Sequence, residues 1–319
     1  MLQSILESLS ALRSLINTCP WDHAIDFIKD TPPFLDCKIY PMTREEDIAL
    51  KEFLTEQLKK GYIHPSMSLY ASPFFFIHKK NGKLCPVQDY QKINAMTVCN
   101  IAPIPCAVDH IHDLGGVQYY TKMDIRSGYN NIRIKDGNQE KGTFKTCYRL
   151  FKLTVMFFGL TNSPTTFQTM MDNIFRDIIL KHKPLGTMIH VYIDDIGIAT
   201  CTNLQDHIAT VQDILSISKD HNHFFSLQKC LFHTPEMDHL GVILGRGVTC
   251  MDPIKISGIE DWPAPTKVKD VRSFLSFCNF YHTFIWGLQT THNPSTNSLL
   301  HHSRDVHPTW AKSITWSWH

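Results

Sequence analysis

Apolar residues recur at helical spacing in four stretches of the chain. The first covers residues 1–19 and predicts a short packing helix. The second follows Thr43, because Thr43 and Glu46 have the sequence of a capping box and an apolar periodic run comes next. Gly61 is expected to end this helix.

The third helical stretch has the clearest pattern. Ser163 is a good N-cap and Pro164 suits the first helical position, so the helix is predicted to begin there. An apolar stripe follows at helical spacing, and we interpret it as core. It consists of Phe167, Met170, Met171, Ile174, Phe175 and Ile178. A fourth helix is predicted after Thr266, which follows a stiff Pro-Ala-Pro connector at 263–265.

Residues 70–89 have the pattern of two strands joined by a tight turn. A Phe-rich run is followed by an Asn-Gly pair at 81–82, which is a strong signal for a hairpin. Three lysines surround this turn: Lys79, Lys80 and Lys83. They are typical of a solvated loop tip, and they also suit a loop that handles phosphate groups.

Two apolar strands are predicted on either side of Asp194 and Asp195. Burying adjacent carboxylates costs several kcal/mol unless a cation neutralises them. Asp124 ends another predicted strand at 119–123, so three carboxylates can meet at the ends of adjacent strands. Such a group suits two Mg²⁺ or Mn²⁺ ions about 4 Å apart. The alternative is that these aspartates are structural turn residues.

Composition narrows the class of protein. A length of 319 residues suggests two or three compact units, and 43% apolar residues exclude intrinsic disorder. The net charge of +1 does not indicate a nucleic-acid partner, so any basic footprint must be local. No run of 18 apolar residues occurs, so no membrane partner is expected. Ten cysteines without CxxC spacing indicate reduced thiols in an intracellular protein, cytoplasmic or nuclear.

Several spaced motifs resemble, in order, those of reverse transcriptases. The Tyr-Ile-Asp-Asp run at 192–195 resembles the family's YxDD box. The other matching segments are 32–34 and 70–74 (fingers), 122–129 and 158–168 (palm), 229–232 and 240–241 (leading to the primer grip), and 251–255 and 274–281 (thumb). The likeness covers about residues 20–285. It is to Ty3/gypsy-type LTR retrotransposon polyproteins, and runs 129–131 and 156–160 look fungal.

The resemblance implies an α+β fold of the right-hand polymerase type. Its palm would contain an antiparallel sheet with packed helices. The implied organisation is an N-terminal segment at 1–30, fingers at about 31–98 and 132–162, palm at about 99–131 and 163–242, a partial thumb at 243–287, and an unassigned tail at 288–319.

The resemblance also implies an RNA-directed DNA polymerase, a nucleotidyltransferase that extends a primer 3′-OH with dNTPs by a two-metal mechanism. Its partners would be dNTPs and an RNA or DNA template with a primer, and its cofactors two Mg²⁺ or Mn²⁺ ions. The implied catalytic and metal-binding residues are Asp124, Asp194 and Asp195. The implied dNTP-binding residues are Lys79, Lys80, Lys83, Tyr129, Phe158 and Gly159, with Tyr129 as the steric gate. The implied primer and template residues are Tyr192, Leu240 and Gly241.

Some positions depart from the family pattern. Cys85 and Gln91 stand where the family usually has arginine, and a thiol cannot replace the forked contact of a guanidinium with a triphosphate. Arg149 and Lys152 replace a run that is more often Gly-Leu-Phe-Glu. Residues after about 285 lack the likeness and leave no room for an RNase H domain, which indicates a truncated element. The alternative function is therefore an inactive remnant that retains at most nucleic-acid binding.

Overall fold

The structure is a computed structural model that describes residues 20–78, 82–114, 117–245, 248–251, 253, 257–258 and 262–281. The predicted helix at 1–19 and the tail at 288–319 lie outside these residues. The helices are α1 (Arg44–Lys59), α2 (Gln91–Met96), α3 (Ala107–Leu114), α4 (Ser163–His182), α5 (Leu204–Asp220) and α6 (Val268–Tyr281). The strands are β1 (Ile63–Pro65), β2 (Ser72–His78), β3 (Leu84–Gln88), β4 (Tyr119–Asp124), β5 (Phe144–Lys145), β6 (Leu150–Leu153), β7 (Thr187–Tyr192), β8 (Asp195–Thr200), β9 (Leu231–Thr234), β10 (Glu236–His239), β11 (Val242–Gly245) and β12 (Val248–Met251).

A five-stranded sheet with the order β1-β6-β5-β2-β3 forms the first layer. Its pairs are antiparallel except for β2 and β5, which run parallel. Aromatic residues fill the core beneath it, and Phe74 and Phe144 lie with their ring centroids 5.6 Å apart. Leu50 and Leu54 of α1 belong to the same core. The helix predicted after Thr43 therefore packs on this sheet.

A four-stranded antiparallel sheet with the order β7-β8-β4-β9 forms the second layer. The apolar stripe predicted as core is buried against it: Phe167, Met171 and Phe175 of α4 are fully enclosed. Helix α5 covers the same sheet and contributes Val211 and Ile214. Because both helices lie on the same core, β4, β7 and β8 are fixed relative to one another.

A three-stranded antiparallel sheet, β10-β11-β12, lies beside β4. Its core contains Leu114 of α3 and Leu244 of β11, and Phe277 of α6 packs against it. The ammonium of Lys122 on β4 lies 2.7 Å from a carboxylate oxygen of Asp238 on β10. Packing and this ion pair therefore join the small sheet to the second layer.

The sequence predicted α1, α4, α6, β2, β3, β4, β7 and β8, with two corrections at helix starts, and it did not predict the other described elements. The capping box of α1 is present, with both the Thr43 and Glu46 side-chain bonds formed. Helix α4 begins at Ser163, but its N-cap is Asn162, whose side chain instead bonds the backbone of Val98 and Asn100. Before α6, the carboxylate of Asp270 accepts hydrogen bonds from the backbone of Thr266 and Lys267, and the Thr266 hydroxyl donates to it as well.

Within the described ranges, no helix has a stretch long and apolar enough to cross a membrane. The eight described cysteines with defined side chains are free thiols, in agreement with the absence of CxxC spacing. The architecture of helices with mostly antiparallel sheets is the α+β class that the sequence predicts.

Candidate active site

Strand pairing brings the three predicted carboxylates to one end of the four-stranded sheet. Asp124 ends β4 and faces Asp195, the first residue of β8, in the antiparallel register. Asp194 lies in the turn between β7 and β8, and its carbonyl oxygen accepts a hydrogen bond of 2.8 Å from Ile125 N–H. We call Asp124, Asp194 and Asp195 the aspartate triad.

The turn that carries Asp194 is backbone-strained. Ile193 has φ of 52°, in the left-handed region that β-branched residues rarely occupy. Such a conformation costs roughly 1–2 kcal/mol, so contacts around the turn must hold it. The side chain of Gln168 on α4 is one of them, because its oxygen accepts the Ile193 N–H at 2.7 Å.

Burial disfavours the ionised forms of the triad. Burial raises the pKa of the Asp194 carboxyl, and the charge of Asp124 raises it further. Burial also raises the pKa of Asp195, with the charges of Asp194 and Asp124 adding to the effect while Lys122 opposes it. A cation placed among these groups would relieve both penalties.

Lys229 contacts the triad. It lies in the matched segment 229–232, but no role was predicted for it. Lys229 Nζ lies 2.9 Å from Asp124 Oδ2, and its hydrogen bond to that carboxylate raises the pKa of Lys229. The lysine side chain is 66% exposed whereas that of Asp124 is 11% exposed. The ion pair therefore lies at the solvent edge of the site, where a mobile ammonium can leave.

The donor set of the triad fits a hard divalent cation. Carboxylate oxygens are the ligands that Mg²⁺ prefers, and one or two of them suffice when substrate phosphates and water complete the shell. Among the described residues, no group of three or more His, Cys, Asp or Glu side chains is arranged to hold a metal ion. The fit is therefore one of ligand chemistry and charge, with Lys229 occupying one oxygen of Asp124.

Tyr129 lies beside the triad as part of an aromatic group. It is largely buried, and burial together with the charge of Asp194 raises its pKa to about 12. Its ring centroid lies 4.6 Å from that of Phe158 and 5.5 Å from that of Phe167, both edge-to-face. Gly128 is required next to it, since a Cβ there would lie 2.9 Å from the Phe167 ring and 3.4 Å from the Asp194 Cβ.

Phe158 and Gly159 complete the wall beside Tyr129. Phe158 is 70% exposed although it is large and apolar, so its outer face is free for a planar group. Gly159 has φ of 101°, and its carbonyl oxygen accepts a 2.7 Å hydrogen bond from the Asn94 amide. The structure thus brings Tyr129, Phe158 and Asp194 into one neighbourhood.

Among the remaining predicted residues, Tyr192 lies next to this neighbourhood, because it pairs with Asp195 and is within electrostatic range of Tyr129. Lys79 and Lys80 are not described, and Lys83 is exposed just before β3. Tyr192 ends β7, with its ring centroid 6.1 Å from that of His110. Leu240 and Gly241 form the two-residue turn between β10 and β11, with φ of 49° and 87°. Their roles as primer or template contacts stay predictions.

Gln168 and Lys229 are the site residues that sequence reasoning missed. Gln168 falls on the same helical face as Met171 and Phe175, so a polar side chain there had to find buried partners. That pattern could have marked Gln168. The partner of Lys229 lies 105 residues away in sequence, and local patterning gives no signal for such a contact.

The chain was compared with known proteins. Residues 77–244, more than half of the chain, match the family described as "Reverse transcriptase (RNA-dependent DNA polymerase)". The Pol polyprotein of transposon 297 from Drosophila melanogaster is 32% identical and covers 87% of this chain. That of transposon gypsy from the same organism is 29% identical with 87% coverage, and the Tf2-3 polyprotein of Schizosaccharomyces pombe is 28% identical with 89% coverage.

The match covers only part of each relative. The chain spans 26%, 27% and 20% of the length of these three polyproteins. Among solved structures, the foamy viral protease-reverse transcriptase in complex with dsDNA has a TM-score of 0.75 at 20% identity, and covers 88% of this chain and 58% of that one. The same protein with an RNA/DNA hybrid has a TM-score of 0.74 at 19% identity, with 88% and 37% covered. These likenesses show the right-hand polymerase fold.

The family match and the relatives agree with the order of motifs around the aspartate triad. The chain belongs to the reverse transcriptase family, and within it to the Ty3/gypsy-type retrotransposon Pol proteins.

Proposed function

We propose that this chain is an RNA-directed DNA polymerase, which extends the 3′-OH of a primer with dNTPs. The observation that carries the proposal is the convergence of Asp124, Asp194 and Asp195 at one sheet end in a chain of this family. Relatives that match the chain are Pol polyproteins, and the alternative of an inactive remnant has no comparable support.

The sheets support the division into fingers, palm and thumb that the resemblance implies. All strands of the five-stranded sheet fall within 31–98 and 132–162, the proposed fingers. All strands of the four-stranded sheet fall within 99–131 and 163–242, the proposed palm. The proposed thumb begins at 243, inside β11, so the three-stranded sheet would bridge palm and thumb.

Reverse transcriptases generally use divalent metal ions. In this chain the aspartate triad would hold two Mg²⁺ or Mn²⁺ ions, with Asp124 and Asp194 as ligands and Asp195 as the third carboxylate. When bound, such ions favour the ionised primer hydroxyl and offset the negative charge that develops on the phosphates. The raised pKa values of Asp194 and Asp195 support the assignment, since a cation would restore their ionised forms.

In the proposed reaction the primer hydroxyl attacks the α-phosphorus of a dNTP, a P–O bond forms and pyrophosphate leaves. The protein contributes positioning and charge neutralisation. The ring of Tyr129 would crowd a ribose 2′-OH, and the exposed face of Phe158 would lie near the nascent base pair. Lys83, with Lys79 and Lys80, would meet the triphosphate.

The nucleic-acid partner would be a primed RNA or DNA template. Solved relatives are described in complex with dsDNA and with an RNA/DNA hybrid. Such duplexes are bound through backbone and shape, so the near-neutral net charge of +1 is compatible with a local basic groove. Reduced thiols suit an intracellular, reducing compartment.

Primer extension tests this proposal. The full 319-residue chain is incubated with poly(rA)/oligo(dT), dTTP and Mg²⁺ or Mn²⁺. We expect extension by the natural chain and its loss in Asp194→Asn. Asp177→Asn removes an exposed carboxylate on α4 and serves as the matched control, which should extend normally. Equal extension by the Asp194→Asn variant, or none by the natural chain, would overturn the proposal.

A further inference from the structure

The side chain of Gln168 is buried on α4 and all of its amide groups are used. It is 1% exposed. Its oxygen accepts the Ile193 N–H at 2.7 Å, and its nitrogen donates to the Val191 carbonyl at 2.9 Å and to an Asp172 carboxylate oxygen at 2.7 Å. Because both partners of the nitrogen are acceptors, the orientation of the amide is defined.

Two of these hydrogen bonds hold the backbone on either side of Tyr192, at Val191 and at Ile193. The strand ladder ends with the pair of Tyr192 and Asp195, so regular β pairing does not fix the turn itself. Ile193 within the turn has the strained φ of 52°. The Gln168 amide spans this point, and from the opposite side Ile125 N–H holds the Asp194 carbonyl at 2.8 Å.

The negative charges of the triad explain why the turn needs these hydrogen bonds. Asp194 and Asp195 follow Ile193 directly, and both feel the charge of Asp124. Repulsion among the three carboxylates opposes the strained turn that holds them together. A neutral amide can hold the backbone here without adding a charge of its own.

We propose that Gln168 is a positioning residue that fixes the catalytic turn, and that Asp172 orients its amide. Gln168 would act through the backbone of Val191 and Ile193, which sets where Asp194 and Asp195 point. The inference rests on the proposed polymerase function for its catalytic consequence. Its structural part, the order of the turn, is measurable without activity.

The test compares the natural chain with three variants. Gln168→Met keeps length and burial but loses all three hydrogen bonds. Gln57→Met is the matched control, because Gln57 is also a buried glutamine on a helix, in α1 and away from the triad. Asp172→Ala keeps the bonds of Gln168 to Val191 and Ile193 but removes the carboxylate that orients its amide.

Two readouts are taken on each form. Amide hydrogen exchange of residues 188–196, followed by mass spectrometry, reports the order of the turn. Single-turnover primer extension separates the maximal rate from the Kd for dNTP. For Gln168→Met we expect exchange in this segment to speed up at least about tenfold and the rate to fall about 10- to 100-fold. The Kd should stay within about threefold, since the residue acts through positioning.

The outcomes separate this inference from the proposed function. Unchanged exchange at the turn in Gln168→Met, or a rate loss no larger than that of Gln57→Met, would overturn it. If Gln168→Met does not fold, Asp172→Ala decides: faster exchange at the turn together with a lower rate supports the inference, and any other result contradicts it. If the natural chain extends no primer, the proposed function is overturned. The exchange comparison then still tests whether Gln168 holds the turn.

Discussion

At the level of single residues, burial sets the chemistry of the aspartate triad. Asp194 and Asp195 lie between apolar strands, and their raised pKa values follow first from desolvation and then from neighbouring charge. Two adjacent acidic residues in an apolar setting were visible in the sequence, and so was Asp124 at the end of a strand. This part of the site could be predicted because each residue is marked by its own local pattern.

Tyr129 gives a prediction on sugar selection. Tyr129→Val removes the ring that packs on Phe158 and Phe167, so a ribose 2′-OH gains room. We expect preference for dNTP over rNTP to fall at least about tenfold. Tyr129→Phe keeps the ring and should keep the preference. Competing single additions of dTTP and UTP measure it, and unchanged selection in Tyr129→Val would remove Tyr129 from this role.

Cys85 gives a second prediction, on triphosphate binding. It is half-buried on β3, opposite Ile77, at a position where the resemblance to reverse transcriptases implies arginine. Cys85→Arg should lower the Kd for dNTP about tenfold, the value of one charge-assisted hydrogen bond. Cys147→Arg adds the same charge at an exposed cysteine and should leave the Kd unchanged. Equal effects of both variants would show that only net charge matters.

The bonding partners of two site residues were beyond prediction from local patterns for one reason: these bonds are tertiary. Lys229 reaches Asp124 across 105 positions, and Gln168 reaches Ile193 across 25. The segments that contain Lys229 and Gln168 were recognised as motifs. No local pattern in those segments predicts the residue to which either side chain bonds. Tertiary packing alone decides such pairs.

At the level of elements, the sequence predicted helix and strand boundaries well where all the residues that determine a boundary are close together in the chain. The α1 capping box and the hairpins β2–β3 and β7–β8 follow from adjacent residues. The predicted Ser163 N-cap was wrong by one residue: the N-cap is Asn162, whose side chain bonds the backbone of Val98 and Asn100 and makes no capping hydrogen bond. The position of β4 between β8 and β9 required knowledge of distant pairing.

The capping box of α1 gives a prediction on stability. The Thr43 hydroxyl accepts a hydrogen bond from Glu46 N–H, and the Glu46 carboxylate accepts one from Thr43 N–H. Thr43→Ala should lower the free energy of unfolding by about 1 kcal/mol. Thr55→Ala, in the middle of the same helix, should be neutral or slightly stabilising, since alanine favours helices. Urea unfolding measures both, and equal losses would contradict the capping account.

At the level of the whole molecule, the described residues form three hydrophobic cores. Their polar occupants include several buried histidines. Burial lowers the pKa of His23, His190, His207 and His223 to about 4 and that of His239 to about 3. Part of the high content of 18 histidines therefore serves core packing.

These histidines predict a pH dependence of stability. Each has a pKa in the folded chain below its value near 6.5 in the unfolded chain. Between these two pKa values the unfolded chain therefore binds more protons than the folded chain. Stability is fully present above about pH 6.5 and falls as the pH drops towards 4, by up to about 1.4 kcal/mol per pH unit for each histidine. Asp194 and Asp195 act in the opposite sense at lower pH, because their folded pKa values are raised.

Urea unfolding at pH 7.5, 6.5 and 5.5 checks this dependence. His223→Phe removes a buried ring whose two nitrogens have no hydrogen-bond partner among the described residues, and it should flatten the loss of stability between pH 6.5 and 5.5. His64→Phe replaces an exposed histidine and should leave the loss unchanged. Equal slopes in the natural chain and His223→Phe would contradict the account.

The proposed function assigns template-directed DNA synthesis on RNA to the aspartate triad. Its most direct test is single-nucleotide extension of a DNA primer on a defined RNA template, with each of the four dNTPs offered separately and Mg²⁺ present. If the triad performs this reaction, the full chain adds the complementary nucleotide alone. The rate of addition falls at least about a thousandfold in Asp124→Asn and in Asp194→Asn. Addition that ignores the template base, or that persists in these variants, would contradict it.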